Sequence, residues 1–165
     1  MGMQSEAFEH EFLQYSIMID VIDRKILREL TADGRISNVE LAERVGLSPS
    51  ACSRRVRALE ERGVIRGYRA VVDRAALGVR FVAYVAVGLS EHTKKAQEDF
   101  ERAIARAPEV RECHNITGNV EYLLRVEAEG LSAYKHFHTD ILGALPHVRY
   151  LQTYVVLVSP KDERA

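Results

Sequence analysis

The chain has 165 residues, 47% of them hydrophobic and 28% charged, with a formal net charge of −1. That is enough apolar material for one or two small cored domains, and too little excess charge for a nonspecific nucleic-acid coat protein. Nothing resembles a secretory signal or an apolar run of membrane-spanning length, and the two cysteines, Cys52 and Cys113, lack a second thiol or a suitably spaced histidine, so a reducing cytoplasm is expected and neither a disulfide framework nor a zinc site is.

The near-neutral total hides an uneven layout. Residues 1–18 carry Glu6, Glu9 and Glu11 alone, residues 19–73 carry 11 basic and 9 acidic side chains, and residues 74–165 carry 12 of each. Any basic footprint therefore belongs to the N-terminal part. In the leader, Phe8, Phe12 and Tyr15 have helical spacing, which fits either a short amphipathic helix or a disordered segment. Asp20 then caps a helix carried by Ile19, Ile22, Ile26, Leu27 and Leu30, and Asp33-Gly34 stops it.

Ser37, with Glu40 three residues on, predicts a capping box and a second helix, whose apolar positions are Val39, Leu41, Ala42 and Val45. Gly46 ends it. Ser48 caps a third helix with Pro49 in the first helical position, where a missing N–H costs nothing. Gly63 closes that helix. Two short helices joined at Gly46-Leu47 outline a helix-turn-helix. At about 100° per residue, Cys52, Val56 and Leu59 share the buried stripe of the third helix. Ser50, Arg54 and Arg57 face the other way, with Ser53 on the flank. From Arg44 to Arg69 seven arginines stand against Glu60 and Glu61. Small hydroxyls and long cations on an outward face are what a recognition helix offers to a major groove, so double-stranded DNA is the expected partner of Ser48, Ser50, Ser53, Arg54 and Arg57.

After Gly63, the run Val64, Ile65, Tyr68, Val71 and Val72 predicts a strand leaving the head, a wing whose Arg66 and Arg69 reach phosphate. Residues 73–78 then form a hinge. The second half alternates: a strand over 79–89, a helix over 93–107 stopped by Pro108, strands over 110–117 and 120–128 joined at Gly118-Asn119, a helix capped by Ser132, and a last strand over 148–158. The order β-α-β-β-α-β is the ferredoxin-like arrangement. The fold class is thus α+β, with an N-terminal winged helix-turn-helix over 19–63, a linker over 64–78, a ferredoxin-like domain over 79–158 and a tail over 159–165. Both faces of the first strand (Phe81, Val85, Val87 against Val82, Tyr84, Ala86) and of the last (Tyr150, Tyr154, Val156 against Leu151, Val155, Leu157) are apolar. Helices can cover only one of them, so the other predicts a sheet-to-sheet homodimer.

Taken together, the run from Asp20 to Asp73, Leu77-Gly78, Pro108-Glu109-Val110 and TGNVEYLL at 117–124 resemble the Lrp/AsnC family of transcription regulators over about residues 19–158. The resemblance implies a winged helix-turn-helix tied to a ferredoxin-like effector domain, dimers that often assemble into octamers, and an amino acid or related small molecule as effector. Two departures stand out. Val120 and Glu121 replace the Tyr and Asp common in the family's turn, which suggests a different ligand, and Arg74 replaces a frequent Pro, which is expected to loosen the hinge.

The turn of Thr117, Gly118, Asn119, Val120 and Glu121 exposes backbone N–H groups to a ligand carboxylate, and Glu121 is placed to pair with an ammonium. An ordinary hairpin, with Asn119 left-handed, is the plainer alternative. Gln152 and Thr153 on the last strand complete the expected effector set. His114, His136, His138 and His147 share no metal-binding spacing, and no cofactor is expected. No nucleophile-base pair or phosphate loop occurs. Siroheme decarboxylases resemble the same family in both domains, so the resemblance leaves an enzyme of that kind, or an effector-independent architectural protein, as the alternatives to a regulator.

Overall fold

The computed structural model describes residues 19–162, and the expected leader helix lies outside the described residues. The chain divides into two compact units, Met1–Ala70 and Val71–Ala165, with the division inside the segment read as linker.

In the first unit, α1 (Val21–Ala32), α2 (Asn38–Val45) and α3 (Pro49–Glu61) form in the order expected. Asp20 begins α1 with a reciprocal capping box: its carboxylate accepts the Asp23 N–H, and the Asp23 side chain accepts the Asp20 N–H. Ser37 accepts the Glu40 N–H and Ser48 the Ala51 N–H. Gly46 ends α2 at φ 75°, a conformation that would strain a side chain. Ile26, Leu41, Ala42, Val45, Cys52 and Leu59 make the core, with Val56, Val64 and Ile65 packed against it. Val39 does not join them and is 56% exposed. At 100° per residue it sits about 200° from Leu41, off the stripe to which it was assigned.

The strand expected over 64–72 is absent. Residues 66–73 carry no ladder within the chain, since the hydrophobic alternation names a strand only where a neighbouring strand is there to bond it. Residues 74–78 form a tight turn instead, with Asp73 accepting from the Ala75 N–H and Val79 N–H donating to the Arg74 carbonyl.

The second unit is a four-stranded antiparallel sheet in the order β2-β3-β1-β4, built from β1 (Phe81–Leu89), β2 (Val110–Asn115), β3 (Tyr122–Ala128) and β4 (Val148–Val155). α4 (Lys94–Ile104), capped by Thr93, and α5 (Leu131–His136) cover one face. Ala83, Val85, Val87, Leu124, Val126 and Tyr122 from the sheet meet Phe100, Ile104, Tyr134, Phe137 and Leu142 there. Ser132 does not cap α5; Gly130 precedes it without a side-chain cap. The helix then widens into a π-helical turn over Phe137–Leu142, which brings both Phe137 and Leu142 into the core, as a 3.6-residue period would not. Gly143 closes the turn where an added Cβ would lie 2.9 Å from the His138 carbonyl oxygen.

The other face is only half apolar. Val82 and Tyr84 of β1 and Tyr150, Tyr154 and Val156 of β4 and its extension line one half, whereas β3 places Arg125 and Glu127 opposite Tyr84 and Val82. Two-sided apolarity therefore holds for β1 and β4 and fails for β3. Arg74 also departs from expectation. Its Nε donates to Glu127 at 2.9 Å, its Nη2 lies closer still, and Arg125 holds the other carboxylate oxygen at 2.5 Å. Burial pushes the Glu127 carboxyl up, but the two guanidiniums outweigh it and leave it below its ordinary value. Arg74 thus fastens the turn to the sheet, where it was expected to loosen it.

Candidate functional site

The outward face of α3 exists because its buried stripe is narrow. Cys52 and Leu59 are inside, while Ser48, Ser50, Ser53, Arg54 and Arg57 are exposed, and Ser48 Oγ and Ser50 Oγ are 3.3 Å apart. Arg66 and Arg69 are exposed on the segment that follows α3.

Ion pairing sorts the arginines into two kinds. Arg55 reaches back to Asp20 at 2.6 Å and Asp23 at 2.8 Å, tying α3 to the start of α1. Arg44 holds Glu29 at 3.1 Å and Glu40 at 2.6 Å, tying α2 to α1. Two of the carboxylates lie below their ordinary values: the Asp23 N–H and then Arg55 act on Asp20, and Arg44 acts first on Glu29. Arg54, Arg57, Arg66 and Arg69 have no ion-pair partner among the described residues. The seven arginines counted in the sequence thus include at least two that are structural. The signal that could have marked Arg55 is its phase, three residues from Cys52 and four from Leu59, beside the buried stripe. Asn38 was also missed: its Nδ2 donates to the Pro49 carbonyl at 2.8 Å, joining the first turns of α2 and α3.

In the second unit, a cavity of about 300 Å³ opens on the uncovered face and is lined by Ala86, Asn119, Val120, Tyr150, Gln152 and Tyr154. Three of the expected effector residues, Asn119, Val120 and Gln152, meet there. Thr117 and Gly118 are exposed in the same turn, and Gly118 rather than Asn119 takes the positive φ, at 140°. Thr153 is not brought to the cavity. Neighbouring strand residues point to opposite faces, and its Oγ1 lies 2.5 Å from the Tyr134 hydroxyl on the helix-covered side. Glu121 follows Val120 in the chain but does not line the cavity: its Oε2 accepts the Leu89 N–H at 2.7 Å, and Oε1 lies 3.0 Å from His92 Nδ1. Gly88 lets Tyr150 of the paired strand approach closely, because a Cβ there would come within 3.1 Å of Tyr150 Cβ. His92, Ala86, Tyr150 and Tyr154 had no effector role from sequence; the register of β1 against β4 alone places the last three together. Gln152 Oε1 accepts from the Tyr150 hydroxyl at 2.7 Å. Among the described residues no three His, Cys, Asp or Glu side chains gather into a metal-binding group, and no helix is long and apolar enough to cross a membrane.

Residues 19–66 match the family described as winged helix-turn-helix DNA-binding, and residues 82–165 match the Lrp/AsnC ligand-binding domain. A proline dehydrogenase transcriptional activator from Rhodobacter capsulatus is 44% identical over 148 residues, 90% of this chain and 96% of the relative. The leucine-responsive regulatory protein of Escherichia coli is 42% identical over 144 residues, 87% of this chain and 88% of the relative. Among solved structures, a Neisseria meningitidis transcriptional regulator in complex with L-methionine superposes with a TM-score of 0.84 at 37% identity, over 88% of this chain and 94% of that one.

Proposed function

The chain belongs to the Lrp/AsnC family of transcriptional regulators, and from that premise we propose that it is a sequence-specific DNA-binding regulator whose operator affinity responds to an amino acid or a closely related metabolite. The observation that carries the DNA half is the outward face of α3, where Arg54 and Arg57 are free while neighbouring Arg55 is committed to Asp20 and Asp23. Ser48, Ser50 and Ser53 supply short donors beside them, and Arg66 and Arg69 contact phosphate. Residues 19–63 bind DNA, 64–78 link, and 79–158 bind the effector and assemble.

The effector reading rests on the cavity at Asn119, Val120 and Gln152, with Glu121 next to Val120 in the chain and Thr117 and Gly118 in the same turn. Its polar groups and modest volume suit a small zwitterion, the chemistry of the L-methionine bound to the Neisseria regulator. The exposed rings of Tyr150 and Tyr154 support a homodimer joined sheet to sheet, and octamers are dimers of that kind assembled further. Function in the cytoplasm and a role without catalysis complete the reading.

One experiment tests it. A thermal-shift screen of the twenty amino acids identifies an effector, and gel-shift titration on the protein's own promoter is repeated with that compound. Effector-dependent DNA binding that is lost in the Arg54→Ala, Arg57→Ala double variant is the expected result. A double variant that binds the promoter like wild type removes the recognition-helix assignment.

A further inference from the structure

We infer that Arg35, with Arg66 and Arg69, forms a second DNA-backbone contact beside the recognition helix, assembled by Tyr68. The inference rests on the DNA-binding reading and adds to it a residue in the turn between α1 and α2, outside both the recognition helix and the segment that follows it.

Tyr68 is the brace. Its ring packs over Gly34, where a Cβ would stand 3.7 Å from Cδ1, and its hydroxyl donates to Glu60 Oε1 at 2.9 Å, in the last turn of α3. One side chain therefore spans from the α1–α2 turn to the end of the recognition helix. It carries Arg66 and Arg69 on either side of itself, and Gly34 carries Arg35 next to it. All three arginines are exposed, and none has an ion-pair partner among the described residues. Arg28, Arg44 and Arg55 of the same unit are all paired.

The nearby carboxylates are turned to other uses. Asp33 Oδ1 accepts the backbone N–H of Arg35 at 2.8 Å, which fixes the turn, and Glu60 is held by the Tyr68 hydroxyl. Glu61 is the remaining acidic residue at the end of α3 and is exposed. Arg66 and Arg69 flank Tyr68 in the chain, and Arg35 follows the glycine its ring covers. Three exposed arginines without ion-pair partners among the described residues thus gather about one brace, free to meet a polyanion. A recognition helix lying in a major groove is flanked by phosphate strands, and contacts to them position the protein without reading bases. Arg35 therefore contributes affinity common to all duplexes and no sequence preference.

The test is a salt titration of the full chain on a mixed-sequence duplex of about three helical turns. Loss of one phosphate contact flattens the slope of log K against log salt by about 0.9, which is about eightfold weaker binding at 0.1 M salt and vanishes towards 1 M. Arg35→Ala is expected to show both changes, equally on the promoter and on the mixed sequence. Arg35→Lys keeps the charge and should keep the slope, whereas Arg106→Ala removes one exposed charge from α4's C-terminal side and should leave it unchanged. An unaltered slope in Arg35→Ala, or Arg35→Lys failing as badly as Ala, overturns the inference. The Arg54→Ala, Arg57→Ala variant separates the two readings: if it loses the promoter while Arg35→Ala behaves as wild type, the second contact falls and the recognition helix stands.

Discussion

The two units solve the problem of charge in opposite ways. In the helical unit, the core is small and most of the ion pairs lie at its surface, with Asp23 the one buried carboxylate among its described residues, fastening helix ends to one another through Arg44 and Arg55. The charges left over face solvent. In the sheet unit, the core is larger, and the strongest charge cluster is buried: the Glu127 side chain is only 4% exposed and is shared by Arg74 and Arg125. So in the first unit the unpaired side chains point to function, and in the second the paired ones explain how a turn is held to a sheet.

If each unit depends on its own core, a cavity in one should leave the other folded. Phe100→Ala empties the centre of the helix-covered face, where Phe100 is 1% exposed and its ring lies 4.6 Å from that of Tyr122. A loss of about 3–5 kcal/mol is expected. Leu59→Ala should cost about 2–5 kcal/mol in the helical unit. Urea unfolding followed by helical and tyrosine signals should show the first variant losing effector binding at lower denaturant and the second losing DNA binding. Equal damage to both activities in both variants would break the comparison.

A smaller effect sharpens the reading of the turn beside the cavity. Glu121→Gln retains an oxygen for the Leu89 N–H but removes the charge that faces His92 and, on the proposed reading, the effector's ammonium. Effector affinity should fall by about 1.5–3 kcal/mol, with DNA affinity in its absence unchanged. By linkage, operator DNA should shift effector affinity by the same factor as the effector shifts DNA affinity. Calorimetry with and without operator measures both halves, and a variant that binds as tightly as wild type places the ammonium elsewhere.

Glu127 yields a pH dependence with a definite sign. Its folded carboxyl lies below its usual value of 4.5, so the ionised form stabilises the fold. That contribution is fully present above about 4.5 and is lost as pH falls through the lower folded value. Glu127→Gln should cost about 1–3 kcal/mol at neutral pH, by leaving two guanidiniums with a neutral partner, and should flatten the acid decline of the sheet unit. Thermal unfolding between pH 3 and 6 compares the two, the window lying on either side of an ordinary Glu value. An acid limb that survives unchanged in the variant assigns the decline to other carboxylates.

The helices were legible because caps and apolar phase are local: Asp20, Ser37, Ser48 and Thr93 each cap the helix that starts after them. The β-α-β-β-α-β succession of elements was legible too, in the alternation of strand and helix patterns. What the sequence could not show is set by partners distant in the chain. Thr153 looks like a neighbour of Gln152 until the pleat sends them to opposite faces, and Arg74 looks like a loose hinge until β3 offers it Glu127. The strand expected over 64–72 failed for the same reason, since alternation predicts exposure on two sides and not a bonded neighbour. The π-helical turn has no local signature: Phe137 and Ile141 fit an ordinary helical phase, and only Gly143, closing onto the His138 carbonyl, marks the wider turn.

The finest test of the comparison exchanges neighbours on one helix. Arg54 and Arg55 are adjacent and chemically identical, yet Arg55 bonds Asp20 and Asp23 whereas Arg54 has no ion-pair partner among the described residues. Arg55→Ala should lower the melting temperature: the pair with exposed Asp20 adds little, but the pair with Asp23 leaves a buried carboxylate without its guanidinium. It also frees the Asp20 carboxylate, now depressed by the Asp23 N–H and by Arg55, to titrate nearer its usual value, so the variant loses part of the stability that the wild type keeps above that value. Arg54→Ala should leave the melting temperature alone and weaken promoter binding; if the side chain reads a guanine edge, the cost is about 1–3 kcal/mol and falls on one base position. Melting curves and promoter titrations on the two single variants therefore give opposite pairs of results. A drop in stability for Arg54→Ala, or a base-specific loss for Arg55→Ala, would show that ion pairing does not divide the structural arginines from those that meet DNA.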